Sequence, residues 1–247
     1  MDEKALVILQ ARMSSKRFPG KVLKDLNGEP MLVRQIDRIR RAKNVQKIVV
    51  ATSIDVTDDS LYSLLKKQGI DVFRGELEDV LKRFVGVMNQ EIARTIVRLT
   101  ADCPLVMPEL LDEIIQNFWN GEFDYLSNTL NPTFPDGLDI EVFSRDALSK
   151  LDGLDLSLIE REHVTLGFLN QERGFRCRNF EYPIDYSELR WTVDYPEDLE
   201  FVRKVYSHFS GRESEFGFQE VLELLETNNG LKSTMTGFPR NEALKRN

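Results

Sequence analysis

Short apolar runs alternate with segments of helical periodicity through the first half of the chain, and this alternation constrains the fold more than any other feature. Apolar, β-branched runs predict strands at residues 5–10, 47–52, 71–74 and 95–100. After each run, apolar residues spaced three or four positions apart predict a helix. Strands that alternate with single helices form βαβ units, so we expect an α/β fold with a mainly parallel sheet, right-handed crossovers and helices on both faces.

The strand ends of such a sheet direct attention to particular loops. Ligands of open parallel sheets bind outside the carboxyl ends of the strands. The loops that follow Gln10, Thr52 and Thr100 are therefore the first candidates for a binding site.

The middle of the chain is less regular. Within residues 126–186 we expect a strand at 138–143, a helix at 159–170 and an exposed strand at 176–182, which together form an insertion or lid. An apolar strand at 190–193 and a helix after Pro196 complete a main domain over residues 1–210. Residues 211–247 predict a helix at 218–226 and a polar tail.

The composition excludes several classes of protein. A net charge of −8 argues against a general nucleic-acid binder. Cys103 and Cys177 form no CxxC pair, and His163 and His208 form no metal pattern, which argues against a disulfide framework and a zinc site. The first apolar run is too short for a signal peptide or a membrane span. We expect a cytoplasmic protein without a membrane partner.

The loop after the first strand is basic. Between Lys4 and Lys24 the chain has six basic residues and no acidic one. Backbone N–H groups, serine hydroxyls and cations in a loop that leaves a buried strand can surround the oxygens of a triphosphate. The loop is neither a GxxxxGK[ST] nor a GxGxxG motif, so it predicts neither a P-loop nor a dinucleotide fingerprint. The alternative is a solvated basic loop.

Two aspartates follow apolar strands and precede helices that begin with proline. Asp102 follows the strand at 95–100, and Asp194 follows the segment at 190–193. A carboxylate that faces a triphosphate repels it unless a cation lies between them, and Mg²⁺ prefers a few carboxylates together with phosphate oxygens and water. The two aspartates predict a metal pair. The alternative is that each one caps a helix N-terminus.

Three motifs taken together resemble a known enzyme family. QARMSSKRFPGKVL at 10–23, TADCP at 100–104 and TVDYPEDL at 192–199 are similar to the cytidylyltransferases that activate acidic sugars, the CMP-Kdo synthetase and acylneuraminate cytidylyltransferase group. DGLDIEV at 136–142 and EREHVT at 160–165 resemble the branch of spore coat polysaccharide biosynthesis protein F, as does the tail at 241–245.

This resemblance implies a Rossmann-like nucleotidyltransferase core, CTP as the nucleotide, Mg²⁺ as the cofactor and a homodimer. It implies that Arg12, Ser15, Arg17 and Lys21 contact the triphosphate, with Arg12, Arg17 and Lys21 in the catalytic role, and that Asp102 and Asp194 hold the metal. The nucleotide-binding residues that we expect are Gln10, Ala11, Arg12, Ser14, Ser15, Arg17, Lys21, Thr100 and Asp102.

The residues expected to bind the acceptor sugar are Asp136, Asp139, Glu141 and His163. An acidic sugar requires a cation in its pocket, but residues 134–141 offer three carboxylates and no cationic side chain. In a strand at 138–142, Asp139 and Glu141 share a face and suit hydroxyl or amino groups, or a second metal ion. The alternative for Asp139 and Glu141 is a solvated strand face, and the alternative for His163 is a structural hydrogen bond to Glu160. The cation that an acidic sugar requires could still come from Arg145, Arg161 or Arg178.

The expected reaction is transfer of CMP from CTP to a sugar hydroxyl with release of pyrophosphate, in the synthesis of a surface polysaccharide or glycoconjugate. Two alternatives stay open at this point. The nucleotide could be GTP or another NTP, or the chain could be a catalytically silent nucleotide-binding subunit of a polysaccharide assembly.

Overall fold

The computed structural model describes residues 4–235, 237–238 and 240. The strands are β1 (Ala5–Gln10), β2 (Asp25–Leu26), β3 (Glu29–Pro30), β4 (Val45–Ser53), β5 (Val72–Gly75), β6 (Thr95–Thr100), β7 (Tyr125–Ser127), β8 (Glu141–Ser144) and β9 (Cys177–Asn179). The helices are α1 (Met31–Ile39), α2 (Asp59–Lys67), α3 (Val80–Gln90), α4 (Pro108–Asn120), α5 (Arg145–Asp152), α6 (Leu158–Glu162), α7 (Pro196–His208), α8 (Phe218–Thr227) and α9 (Asn229–Lys232).

Within the described residues, seven strands form one sheet in the order β5-β4-β1-β6-β8-β7-β9. The four on the first side are parallel, whereas β8 runs antiparallel to β6 and to β7, and β9 is parallel to β7. Strands β2 and β3 form a separate hairpin. The prediction of a mainly parallel α/β sheet is confirmed.

Buried side chains of β1 alternate between two apolar clusters on opposite faces of the sheet. Val7 and Leu9 belong to the cluster that includes α1, α2, α4 and α7, whereas Leu6 and Ile8 belong to the one that includes α3 and α5. Because successive side chains of a strand point to opposite faces, this division places helices on both sides of the sheet, as predicted.

Three predictions for the second half were wrong. The strand predicted at 138–143 begins only at Glu141, and the helix predicted at 159–170 stops at Glu162. A 3₁₀ helix, Val164–Leu169, follows because Val164 adopts a φ of 48°, which an α-helix does not allow. Residues 190–193 form no strand, apart from a bridge between Asp136 and Arg190.

Residues 190–193 are nevertheless buried, because two loops hold them. The Trp191 N–H donates to the Asp136 carbonyl at 2.6 Å, and the Val193 N–H donates to the Asp102 carbonyl at 2.8 Å. Gly137 has a φ of +108°, and a Cβ there would lie 2.4 Å from the Thr192 nitrogen. This close approach requires glycine and brings residue 194 beside the turn that follows β6.

Helix α8 packs on the main core, since its buried leucines belong to the same cluster as Val7 and Leu9 of β1. The domain boundary proposed at residue 210 therefore stays a prediction. The tail at 241–245 lies outside the described residues. Among the helices of the described part, none combines the length and the apolar character that a bilayer crossing requires.

Candidate functional site

Two parallel strands end side by side at the candidate site. Gln10 of β1 is in register with Thr100 of β6. The Ala101 N–H donates to the Gln10 carbonyl at 2.9 Å, and the Ala11 N–H donates to the Ala51 carbonyl at 3.2 Å. The basic loop after β1 and the acidic turn after β6 therefore leave the sheet next to each other.

The loop after Thr52 supports the site from behind. Its buried Asp58 accepts hydrogen bonds from the Met13 N–H at 2.7 Å, the Ser53 N–H at 3.0 Å and the Thr52 hydroxyl at 2.9 Å. This carboxylate fastens the basic loop to β4. Asp58 therefore has a structural role, and ligand binding by the rest of this loop stays a prediction.

A cavity of about 370 Å³ opens between the basic loop and the acidic turn, and we call it the basic cavity. Ser14 is not among the residues that line it. The other eight residues predicted to bind nucleotide line it: Gln10, Ala11, Arg12, Ser15, Arg17, Lys21, Thr100 and Asp102.

Lys21 joins the two acidic turns. Its side chain is 9% exposed, and Nζ donates to Asp102 Oδ2 at 3.0 Å, to Asp194 Oδ1 at 3.0 Å and to the Val193 carbonyl at 2.7 Å. A buried ammonium is stable only when it is paired and hydrogen-bonded, and three oxygens meet that need here. The two predicted metal ligands thus converge on one cation of the chain itself.

Asp194 contacts two further cations. Arg17 Nη2 lies 2.5 Å from its Oδ1, and Arg190 Nη2 donates to its Oδ2 at 3.0 Å. The Arg190 side chain is 5% exposed and also pairs with Asp136 at 2.7 Å and Asp198 at 3.3 Å. Arg190 therefore fixes the orientation of Asp194 through Oδ2, the oxygen that Lys21 and Arg17 do not contact.

Neither aspartate caps a helix. Helix α4 begins at Pro108 with Met107 as its N-cap, five residues after Asp102. At the start of α7, the Asp198 carboxylate accepts the N–H groups of Asp194 and Tyr195 at 2.8 and 2.9 Å. The helix-cap alternative is therefore wrong for Asp102 and for Asp194, whose carboxylates stay directed at the cavity.

The charges around Lys21 stabilise one another. Burial alone would lower the pKa of Lys21, but the attraction of Asp102 and Asp194 outweighs burial and the pKa is raised. Burial likewise opposes ionisation of both aspartates, yet the charge on Lys21 holds the pKa of each carboxyl below its usual range. Both carboxylates are ionised at neutral pH.

The donor set around Lys21 fits a magnesium ion. Two carboxylates and a backbone carbonyl surround a single cation, and Mg²⁺ is bound by one or two carboxylates together with phosphate oxygens and water. The described residues hold no group of three or more His, Cys, Asp or Glu side chains placed to bind a metal ion, so this part of the chain offers two carboxylates rather than a complete cage of such side chains. This donor set suits an ion that arrives with a nucleotide.

A second cavity of about 420 Å³ adjoins the basic cavity, and we call it the acidic cavity. The two cavities share Arg17, Thr100, Asp102, His163 and Asp194. All four residues predicted to bind the acceptor line the acidic cavity: Asp136, Asp139, Glu141 and His163.

Glu141 is already engaged within the protein. It forms an ion pair with Arg98 and accepts the Tyr125 hydroxyl at 2.7 Å. Arg98 also donates to Gln10 Oε1 at 3.2 Å, which links this pair to the end of β1. Asp139 and Glu141 do not share a strand, because β8 begins only at Glu141, but both line the acidic cavity, and their binding to the acceptor stays a prediction.

Asp136 and Asp139 are paired by a cation from the end of the chain. Arg240 donates to Asp139 Oδ1, and its Nε lies 3.6 Å from Asp136 Oδ1. Burial raises the pKa of Asp136 to about 6, with Asp139 adding to the rise and Arg240 and Arg190 offsetting part of it. Burial also raises the pKa of Asp139, against the charge of Arg240.

The cations suggested earlier for the acceptor pocket lie elsewhere. Arg145 donates to the carbonyls of Met88 and Glu91, and Arg161 pairs with Asp79 and Asp152. Arg178 lies on β9 at the sheet edge and lines a different cavity, formed with α4. These three arginines do not line the acidic cavity.

His163 lies where the two cavities meet, at the C-terminus of α6. Its predicted partner Glu160 instead pairs with Arg173 at 2.6 Å and accepts a hydrogen bond from the Ser157 hydroxyl at 2.8 Å. The predicted hydrogen bond between His163 and Glu160 is therefore wrong. Burial is the main cause that lowers the pKa of His163 and favours the neutral imidazole.

A family model described as cytidylyltransferase matches residues 6–224, a span that contains every residue lining the two cavities. The chain belongs to the cytidylyltransferase family. Spore coat polysaccharide biosynthesis protein SpsF of Bacillus subtilis is 37% identical over 235 residues, which cover 90% of this chain and 94% of the relative.

Solved structures agree with this membership. A cytidylyltransferase from Leptospira borgpetersenii serovar Hardjo-bovis is 30% identical with a TM-score of 0.88, covering 96% of this chain and all of that one. CMP:2-keto-3-deoxy-manno-octonic acid synthetase complexed with CTP shares the fold, with a TM-score of 0.65 and 22% identity over 84% of this chain and all of that one.

Sequence reasoning missed three arginines of this cytidylyltransferase. Arg98 could have been noticed as a charge inside an apolar strand, and Arg190 as a cation four residues before Asp194. Arg240 lies about a hundred residues from Asp136 and Asp139, and no local pattern connects them. A paired cation in a fold is predictable only when its partner is near in sequence or in register.

Proposed function

We propose that this cytidylyltransferase transfers CMP from CTP to a hydroxyl group of a sugar and releases pyrophosphate. One observation carries the proposal: a basic cavity and an acidic cavity meet at Asp102, Asp194 and Arg17. A nucleotide triphosphate suits the first cavity and a hydroxyl-rich acceptor suits the second. Their junction is where the α-phosphate and the attacking hydroxyl would meet.

The reaction that we propose is an in-line displacement. The acceptor oxygen forms a bond to the α-phosphorus, pyrophosphate leaves with the electron pair of the P–O bond that breaks, and the hydroxyl proton passes to solvent water. Such a reaction depends on positioning and on stabilisation of phosphoryl charge. Arg12 and Lys21 would neutralise non-bridging oxygens, and Arg17 would neutralise the leaving pyrophosphate.

Asp102 and Asp194 would hold Mg²⁺ in this proposal. The ion, when bound, supplies charge stabilisation at the phosphates and lowers the pKa of the attacking hydroxyl. The chain contributes the orientation of Asp194, which Arg190 fixes through the bond described above, while Lys21 holds the two carboxylates together when no metal ion is bound.

The acceptor is proposed to be a sugar of a surface polysaccharide, since the relative from Bacillus subtilis is named for spore coat polysaccharide biosynthesis. Asp136, Asp139 and His163 would contact its hydroxyl or amino groups. Glu141 would act at one remove, by holding Arg98. The cytoplasm, where CTP is made, and a homodimer are the setting and the assembly that we propose.

The test is a pyrophosphate-release assay with each of the four common ribonucleoside triphosphates, MgCl₂ and a panel of sugars with and without a carboxylate. Release with CTP, and a CMP-sugar in the mass spectrum, is the expected result. Release with GTP alone would favour the other nucleotide. No release in any combination would favour the silent subunit.

A further inference from the structure

Lys21 occupies the position between the two carboxylates that the proposed metal ion would need. Its Nζ lies 3.0 Å from an oxygen of Asp102 and 3.0 Å from an oxygen of Asp194, with the Val193 carbonyl at 2.7 Å on a third side. The ammonium and a divalent cation therefore compete for the same oxygens.

The same ammonium also faces the nucleotide. Lys21 lines the basic cavity together with Arg12, Ser15 and Lys16, the groups that suit a triphosphate. A phosphate oxygen in this cavity would offer the ammonium a new partner within reach of its flexible stem. Without a nucleotide, a lysine that leaves the carboxylates would lose its ion pairs while it remains buried, which is costly.

The remaining cations on Asp194 do not share this constraint. Arg190 holds Oδ2, the oxygen that Lys21 does not contact, and its side chain is fixed by Asp136 and Asp198. Arg17 reaches Oδ1 from the more exposed side of the loop. Lys21 is thus the cation that both carboxylates share.

We propose that Lys21 is an internal counter-cation that holds Asp102 and Asp194 together until a nucleotide draws it onto a phosphate, so that metal and nucleotide bind in a mutually dependent way. The inference rests on the proposed function for the nature of the two ligands. It predicts weak binding of free metal and strong coupling between the metal and the triphosphate, because each one removes the competitor of the other.

The experiment measures Mn²⁺ binding by electron paramagnetic resonance and calorimetry, without turnover, in the presence and absence of α,β-methylene-CTP. Lys21→Met should bind free Mn²⁺ about tenfold more tightly than the wild type, and its metal–nucleotide coupling should shrink. Lys21→Arg, which keeps a cation between the carboxylates, should retain the weak affinity for free metal. Lys24→Met is the matched control, because Lys24 is exposed over the Phe18 ring.

A Lys21→Met protein that folds and binds free Mn²⁺ no more tightly than the wild type would overturn the inference. The melting temperature provides a second measurement. Lys21→Met should melt lower without metal and recover with Mn²⁺ alone, since a ligand of the native state stabilises it. Loss without recovery would also count against the inference. Failure of the wild type to bind the nucleotide analogue would instead contradict the proposed function.

Discussion

Two pairs of aspartates line the joined cavities, and their surroundings have opposite effects. Asp102 and Asp194 both contact Lys21, and Asp194 also contacts Arg17. The pKa of each carboxyl is lowered, because the positive charge of Lys21 acts against burial at both positions. Asp136 and Asp139 also have cationic partners, but burial prevails and the pKa of each is raised.

The difference shows that residue type alone does not define a carboxylate site. Asp102 and Asp194 are ionised, and their carboxylates suit a metal ion or a cationic side chain beside a triphosphate. The second pair takes up protons closer to neutral pH and can donate as well as accept hydrogen bonds, which suits hydroxyl groups. Arg190 contacts one member of each pair, so the two environments share one buried guanidinium.

The largest effect is expected at the ionised pair. Asp102→Asn and Asp194→Asn should each lower kcat by roughly 10²–10³-fold, as expected when one group that stabilises transition-state charge is removed. Steady-state kinetics and the melting temperature measure this. Asp37→Asn, which affects an exposed ion pair on α1, should change neither. An unchanged kcat with a lower melting temperature in Asp194→Asn would assign that residue to stability alone.

Replacement of Arg190 should affect both pairs. Arg190→Met leaves the buried Asp198 and the part-buried Asp136 and Asp194 without their shared partner, and should lower the free energy of unfolding by roughly 3–5 kcal/mol. Urea unfolding at constant pH measures this loss. Arg203→Met removes an exposed pair with Glu200 and should cost at most about 1 kcal/mol. Equal costs at both positions would show that burial does not strengthen the Arg190 network.

The geometry of Arg17 should matter more than its charge. Arg17→Ala should impair catalysis, and Arg17→Lys should restore only part of it, because lysine lacks the two-pronged fork. We expect Arg17→Lys to retain about a tenth of wild-type kcat/KM, a loss of one charge-assisted bond. Lys24→Ala is the control outside the basic cavity. Full activity in Arg17→Lys would show that a diffuse positive field is sufficient.

The two pairs also differ in how far the sequence predicts them. Asp102 follows a strand whose apolar run is unambiguous, and the rule for the carboxyl ends of parallel strands places it correctly. The bounds of β1 and β6 agree with the predicted ones at both ends. Local periodicity is sufficient to place Asp102, because β1 and β6 are buried on both faces.

The second pair depends on contacts that periodicity does not report. Residues 136–140 and 189–193 hold each other through backbone hydrogen bonds of Asp136 and close packing at Gly137, and Arg240 lies about a hundred residues further along the chain. An apolar segment buried by loops has the same pattern as a strand, which explains the error at 190–193. Distant pairing, rather than local propensity, determines this part of the site.

In the acidic cavity, replacement of Asp139 and replacement of Glu141 should have different effects. Asp139→Asn should raise the acceptor KM several-fold without changing nucleotide affinity, as expected for a group that touches the second substrate alone. Glu141→Gln should instead lower the melting temperature, because Arg98 and the Tyr125 hydroxyl lose their partner. Kinetics with varied acceptor, and thermal melts, distinguish the two. Identical effects of both variants would return Asp139 to a structural role.

The smallest effect is a pH dependence at Asp136. An aspartate in an unfolded chain has a pKa of about 3.9, whereas burial raises the pKa of Asp136 to about 6 in the folded protein. Between these values the folded state binds more protons than the unfolded state, so this group makes the free energy of unfolding decrease as the pH rises. Its contribution is on the order of 1–3 kcal/mol across the interval.

Asp136→Asn should remove that contribution, so the stability of the variant should decrease less steeply than that of the wild type between pH of about 4 and about 6.5. Urea unfolding at several pH values measures both slopes. The raised pKa of Asp139 acts in the same direction, so part of the wild-type slope should persist in the variant. Asp25→Asn, at an exposed position, should keep the wild-type slope. If Asp136→Asn also keeps it, Asp136 is ionised throughout this range. The second pair would then resemble the first, and the acidic cavity would favour a cationic group over a hydroxyl.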